Sequence, residues 1–240
     1  MKAKPILMSG PMVRALIDGR KTQTRRAARS EFQEWFDFLG DNSEEVGIRW
    51  GQFSYGDGRL SKPQWLAYSR DYPDEGVIHL DNPYGQPGDL LWVRETWALV
   101  GDPSMREVHY RADYEQDSAG WEQPGRLFQG RWTPSIHMPR WASRLTLRIT
   151  DVRVERLQEI SEDDAKSEGI DYLGDAYGYS LYGKYAGMGP TDYIRPVESF
   201  GSLWESINGP GSWDENPWVW CLSFSVIQQN VNDVLRELAA

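Results

Sequence analysis

Apolar and polar positions alternate most clearly near the end of the chain. Trp218, Trp220, Leu222, Phe224 and Val226 take every second place, with Val219, Cys221, Ser223 and Ser225 between them. Period two is the spacing of side chains along one face of a strand, so this segment predicts a strand with one strongly apolar face. A second alternation, Leu145, Leu147, Ile149, slips by one residue to Val152 and Val154. That slip predicts a long strand with a bulge near Thr150 and Asp151. Shorter candidates are Pro5–Met8, Trp65–Tyr68, Val77–Leu80, Leu90–Val93 and Val108–Ala112, the fourth introduced by turn residues from Asn82 to Asp89.

Helical spacing is found in three places. Met12, Val13, Leu16 and Ile17 follow Pro11 and stop at Gly19, the expected order of a first-turn proline and a terminal glycine. Ser161 has Asp164 three residues on and Ile160 before it, which marks a capped helix ending at Glu168-Gly169. Pro196 opens a third helix whose apolar face is Phe200, Leu203, Trp204 and Ile207, closed by Asn208-Gly209. Residues 228–240 read as a helical tail. Residues 27–62 are polar and glycine-containing, with a helical piece around Glu34 to Leu39, and read as an insertion. Residues 171–195 hold six tyrosines and five glycines without a helical stripe or long strand, and predict a lid-like loop. Short strands and short helices in no regular βαβ order predict an α+β fold around a small curved sheet or barrel.

Composition narrows the class. With 240 residues the chain predicts one elaborated domain, and 40% hydrophobic and 26% charged residues exclude disorder, collagen and rods. No apolar run is long enough to span a bilayer, no export signal is read at Met1 to Pro11, and the single cysteine, Cys221, cannot form an internal disulfide. A cytoplasmic protein without membrane association is therefore expected. The net charge of −10 argues against coating nucleic acid with the whole surface. The first 30 residues nevertheless carry eight basic side chains against one acid, Asp18. Twelve Trp and twelve Tyr favour a ring-shaped ligand only weakly, because large rings also fill cores.

Most catalytic patterns are missing. His79, His109 and His137 are scattered and no cysteine pair exists, so no metal and no other cofactor is expected. Gly-x-Ser-x-Gly and the nucleotide-cradling glycine motifs do not occur. What remains is Gly19-Arg20-Lys21-Thr22-Gln23-Thr24-Arg25-Arg26. A hydroxyl nucleophile needs a base, and a lysine crowded by cations can serve as one. A turn would bring Lys21 and Thr24 together, whereas a strand would turn them apart. The other reading of this pattern is a solvated basic turn.

The stretch from Lys4 through Val13, the Gly-x-Lys-x-x-Thr-x-Arg core (Gly19, Lys21, Thr24, Arg26), Pro87 through Glu95, and Ile149 through Ala165 together resemble the ASCH domain. The likeness is to its longer branch, often carried by phages and prophages. It runs from residue 4 to about 226, with insertions expected at 27–62, 113–130 and 171–195, so that residues 1–227 would form a single domain. The resemblance implies a PUA-like fold: a small β-barrel with flanking short helices and a cleft proposed to bind RNA. A small bacterial member of the family removes the acetyl group from N4-acetylcytidine with a lysine, a threonine and a glutamate, which match Lys21, Thr24 and Glu168 here. This chain is about twice the length of such a minimal enzyme.

Two functions follow as expectations. The first is an amidohydrolase acting on an N4-acylated cytidine, a related modified nucleoside or a small-molecule amide. Thr24 would be nucleophile, Lys21 base and Glu168 support, with Lys21 also offsetting the unfavourable helix-end position of Glu168. Arg20, Arg25, Arg26, Trp92 and Glu95 would bind substrate, Glu95 being the competing carboxylate unless it merely pairs with an arginine. The second is a noncatalytic module, or a nuclease, that holds RNA or single-stranded DNA with the same basic segment plus Arg131, Arg140, Arg144 and Arg148.

Overall fold

In the computed structural model, which describes all residues except 55–57, 74–76, 81, 103–105, 115–130, 186–191 and 240, strands predominate. In chain order the first elements are β1 (Ala3–Leu7), α1 (Gly10–Ile17), β2 (Gln23–Ala27), α2 (Ser30–Leu39), β3 (Val46–Gly51), β4 (Gln64–Ser69), β5 (Ile78–Leu80) and β6 (Leu90–Arg94). There follow β7 (Trp97–Val100), β8 (Glu107–Tyr110), β9 (Thr146–Arg156), α3 (Glu162–Ser167), β10 (Tyr172–Ala176) and β11 (Tyr179–Gly183). β12 (Asp192–Tyr193), α4 (Pro196–Asn208), β13 (Trp218–Ile227) and α5 (Val231–Ala239) complete the chain. The fold is mixed α+β. No described helix is long and apolar enough to cross a membrane.

The chain divides into two compact units, each discontinuous in sequence. The first comprises Met1–Thr22, Pro87–Thr150 and Phe224–Ala240, the second Gln23–Gln86 and Asp151–Ser223. In the first unit β1 pairs in parallel with β6, from Ala3↔Leu90 to Leu7↔Arg94, and β6 pairs antiparallel with the start of β9. Pro5 has no N–H to give a ladder and sits on the outer strand, where that is tolerated. α5 lays Val231 and Val234 over Leu90 and Trp92. β7 and β8 form an antiparallel hairpin.

In the second unit β13 pairs antiparallel with β2, Cys221 opposite Arg25 and Leu222 opposite Thr24. Trp218 through Leu222 are all buried, so this half of β13 has two covered faces rather than the single apolar face its alternation suggests. The N–H of Leu157 donates to the carbonyl of Pro217, fixing the end of β9 beside β13. The slip expected near Thr150 is visible in burial: Leu147 and Ile149 face inward, Thr150 and Asp151 are both exposed, and Val152 and Val154 face inward again.

The segments read as excursions are built structure wherever they are described. α2 drives Phe32 and Phe36 inward, the ring of Phe36 lying 5.3 Å from that of Trp218 and 6.4 Å from that of Trp220. Burying one such ring is worth roughly 1.5–3 kcal/mol. β3 pairs with β4, and Gly47 stands opposite Tyr68, whose ring occupies the space a Cβ would fill. Residues 172–183 form the β10–β11 hairpin, turned at Tyr177-Gly178 with φ of 55° and 83°. Positive φ at both central residues matches the right-handed twist of the flanking strands, which is how so short a loop closes. Residues 115–130 of the insertion expected at 113–130, and residues 186–191 of the tyrosine-rich segment, lie outside the described residues.

Candidate functional site

α1 ends as its sequence predicts, with Gly19 at φ 74° and the N–H of Gly19 donating to Leu16. The N–H of Lys21 then returns to the carbonyl of Ala15 at 2.9 Å. Lys21, the last residue but one of this part of the first unit, is 0% exposed. β2 starts two residues later in the second unit, so positions 23–27 are strand and not turn. Gln23, Thr24 and Arg25 are buried in succession. Strand alternation turns Gln23 and Arg25 to one face and Thr24, 1% exposed, to the other, so the turn expected over 21–24 is replaced by strand from residue 23 on.

The Arg25 face carries an ion cluster. The guanidinium donates to Glu155, to Asp164 Oδ2 at 2.9 Å, to Glu168 Oε1 at 3.2 Å and to the side-chain carbonyl of Gln23. Arg153 supports the same acids, donating to Asp164 Oδ2 at 2.7 Å and Glu155 Oε2 at 3.1 Å. The side-chain amide of Gln23 bridges Asp164 and Ser223, both at 3.3 Å. Asp164 and Glu168 reach the cluster together because Asp164 lies in α3 and Glu168, one turn on, is its C-terminal cap, and Glu155 because it leaves β9 on the Arg153 side. Burial alone would lower the Arg25 pKa, yet its acidic surroundings raise it above its ordinary value. Burial also pushes the Cys221 thiol well up, so no thiolate supplies that negative charge at neutral pH.

Glu168 is therefore 3% exposed at the C-terminal cap of α3, and a cation that offsets its position is Arg25. The reading of residues 19–26 as a solvated basic turn does not describe Lys21, Thr24 or Arg25. Arg20 remains half-exposed and pairs with Asp18 at 3.2 Å. Arg26 is half-buried and, with Arg29, opposes the upward push that burial exerts on the Tyr84 phenol.

Glu95 and Trp92 lie in the first unit. Trp92 is packed beneath α5, and the Arg94 guanidinium sits 5.5 Å from its ring centre. Glu95, 1% exposed, accepts two hydrogen bonds from Arg144, Nε at 2.9 Å and Nη2 at 3.0 Å. Arg144 also grips Asp113 with two N–H groups and lies 3.9 Å over the ring of Tyr110. Burial pushes the Glu95 carboxyl above its ordinary range, against the hydrogen bonds and charge of Arg144. Bidentate acceptance from a guanidinium is the geometry of a carboxylate, so we take Glu95 as the charged partner of Arg144. Among the described residues no group of three or more His, Cys, Asp or Glu is arranged to hold a metal ion.

Glu155, Asp164 and Arg153 are the members of the Arg25 cluster that sequence reasoning passed over. A signal was present: Arg153 and Glu155 share one face of a strand whose other face there is the apolar Val152 and Val154, and Asp164 and Glu168 are spaced one helical turn apart. Comparison of the chain with protein-family models, with curated proteins and with solved structures gives no match.

Proposed function

We propose that this chain is an ASCH-type amidohydrolase on a PUA-like barrel framework, removing an acyl group from the exocyclic nitrogen of an N4-acylated cytidine or a related nucleoside. The observation that carries this reading is that Lys21 and Thr24, the motif residues the chemistry needs, are withdrawn from water although their segment is strongly basic. Burying polar side chains costs stability that apolar residues would not, and such local conflicts concentrate at functional sites. Three residues of the nucleic-acid reading also hold other partners: Arg25 and Arg144 are each engaged by carboxylates, and Arg20 by Asp18.

In the proposed reaction Thr24 Oγ attacks the acyl carbonyl and Lys21, which precedes β2 and so is not bound by the alternation of that strand, takes the hydroxyl proton. The C–N bond breaks, the proton passes from Lys21 to the leaving amine, and cytidine departs. Water then cleaves the Thr24 ester, releasing the carboxylic acid and restoring the hydroxyl. Glu168 lies on the Arg25 face of β2 and acts as a positioning residue, holding the strand that presents Thr24.

The test is turnover of a panel of N4-acylcytidines, followed by loss of the acylated chromophore. Thr24→Ala and Lys21→Ala should each cost at least about 10²–10⁴-fold in kcat. Lys21→Arg should be nearly as damaging as Lys21→Ala, since a guanidinium keeps charge but does not accept the proton. Glu168→Gln should lower kcat less and leave the pH profile in place. Absence of turnover on every substrate, or full activity in Lys21→Ala, overturns the reading.

A further inference from the structure

α2 is apolar on two sides. Phe32 and Phe36 fill the interior, while Trp35, Phe38 and Leu39, at positions three and four apart, form a second stripe. A surface helix normally presents one apolar stripe and leaves the rest polar. Here Phe38 is 79% exposed and Trp35 51% exposed, a cost in solvation that the packing of the helix does not require.

The second stripe is one wall of a pocket of about 420 Å³, wholly inside the second unit. That size falls in the range of roughly 300–1,000 Å³ that holds small organic ligands. Tyr72 and Ile78 also line it, and Glu45 and Asp71 supply two carboxylates. Among the described residues that line it none is basic. Glu45 is held in place: its oxygens accept from the N–H of Asp41 at 2.7 Å and from the Asn42 amide at 2.9 Å, and Gly40 lies so close that a Cβ there would strike its side chain.

Aromatic faces carry negative quadrupole charge and attract cations, most strongly those that shed water easily. Carboxylates beside them add Coulomb attraction and repel anions. An apolar guest without charge would use the rings and waste the acids, and a metal ion would use the acids and waste the rings. We infer that this pocket binds a small organic cation, an ammonium or guanidinium group with an apolar body, and that it is a site separate from the Lys21-Thr24 chemistry proposed above.

Isothermal titration of the full chain with choline, with agmatine and with 3,3-dimethylbutan-1-ol, the uncharged isostere of choline, tests this. At least one cation should bind saturably and about tenfold or more tightly than the alcohol. The stronger of choline and agmatine identifies the quaternary ammonium or the guanidinium as the class recognised. Trp35→Leu keeps apolar bulk but removes the ring, and Asp71→Asn keeps shape but removes the charge. Each should weaken the cation about tenfold while leaving the thermal midpoint close to that of the parent. Thr24→Ala should bind as the parent does, which separates failure of this inference from failure of the proposed hydrolase. Equal binding of alcohol and cation, no saturable binding of either cation, or unchanged affinity in both pocket variants overturns it.

Discussion

Arg25 illustrates why the charge of a residue is readable in a sequence and its environment is not. Its neighbours in the chain are basic and polar, so a solvated position is the natural inference, while its carboxylate partners Glu155 and Asp164 lie 130 and 139 residues away. The side chain is fully enclosed, as is the Glu168 carboxylate but for 3% of its surface. Removing the guanidinium leaves acids facing one another in a space built for a cation, which typically costs about 3–5 kcal/mol. Arg25→Met should therefore lower the unfolding free energy measured in urea by that amount. Glu168→Gln, which retains a hydrogen-bond acceptor for Arg25, should cost about 1 kcal/mol. If Arg25→Met is as mild as Glu168→Gln, the cluster is not the anchor of β2 described here.

At the scale of elements, what was legible followed from strong local chemistry. The proline start and glycine stop of α1 and α4, the Ser161 cap of α3, donated to by the N–H of Asp164 at 3.1 Å, and the alternation of β13 each announce themselves within a few residues. What was illegible was structure made by pairing. β3 contains two glycines, and β10 and β11 are five residues each, so neither offers a pattern apart from its partner strand. The β10–β11 turn carries a correctable conflict: Tyr177 adopts φ 55° and is almost wholly exposed. A left-handed conformation costs most L-residues about 1–2 kcal/mol and asparagine much less, and Asn-Gly is the preferred pair for this turn. Tyr177→Asn should accordingly stabilise the hairpin by about 0.5–1 kcal/mol, seen as slower hydrogen exchange of the β10 and β11 amides. Unchanged or faster exchange would mean that the tyrosine ring, not the backbone, governs the turn.

For the molecule as a whole, the α+β class was legible from the mixture of periods, and the candidate site only as a segment. Composition locates eight basic residues in the first 30 but is silent on which of them water reaches. Of the eight, Lys21 and Arg25 are buried, Lys4, Arg14, Arg20 and Arg26 are half-buried, and only Lys2 and Arg29 are exposed. Arg14 is spent on the carbonyl of Ala112 at 3.2 Å, and Arg144 on two carboxylates. A polyanion approaching the first 30 residues therefore meets few exposed cations, on a chain of net charge −10. Each phosphate neutralised on a single strand adds about 0.7 to the magnitude of the slope of log K against log salt. If single-stranded RNA or DNA is held by the first 30 residues, whose exposed cations are Lys2 and Arg29, it should bind weakly at low ionic strength, with a slope no steeper than about −2. Charge reversal at the buried Arg25 should damage folding rather than flatten that slope, whereas reversal at the exposed Arg29 should leave folding intact. Fluorescence anisotropy of labelled oligonucleotides across a salt series measures this directly. A steep slope, or tight binding that survives moderate salt, would mean that the basic segment opens to reach phosphate, and would favour the nucleic-acid module over the hydrolase.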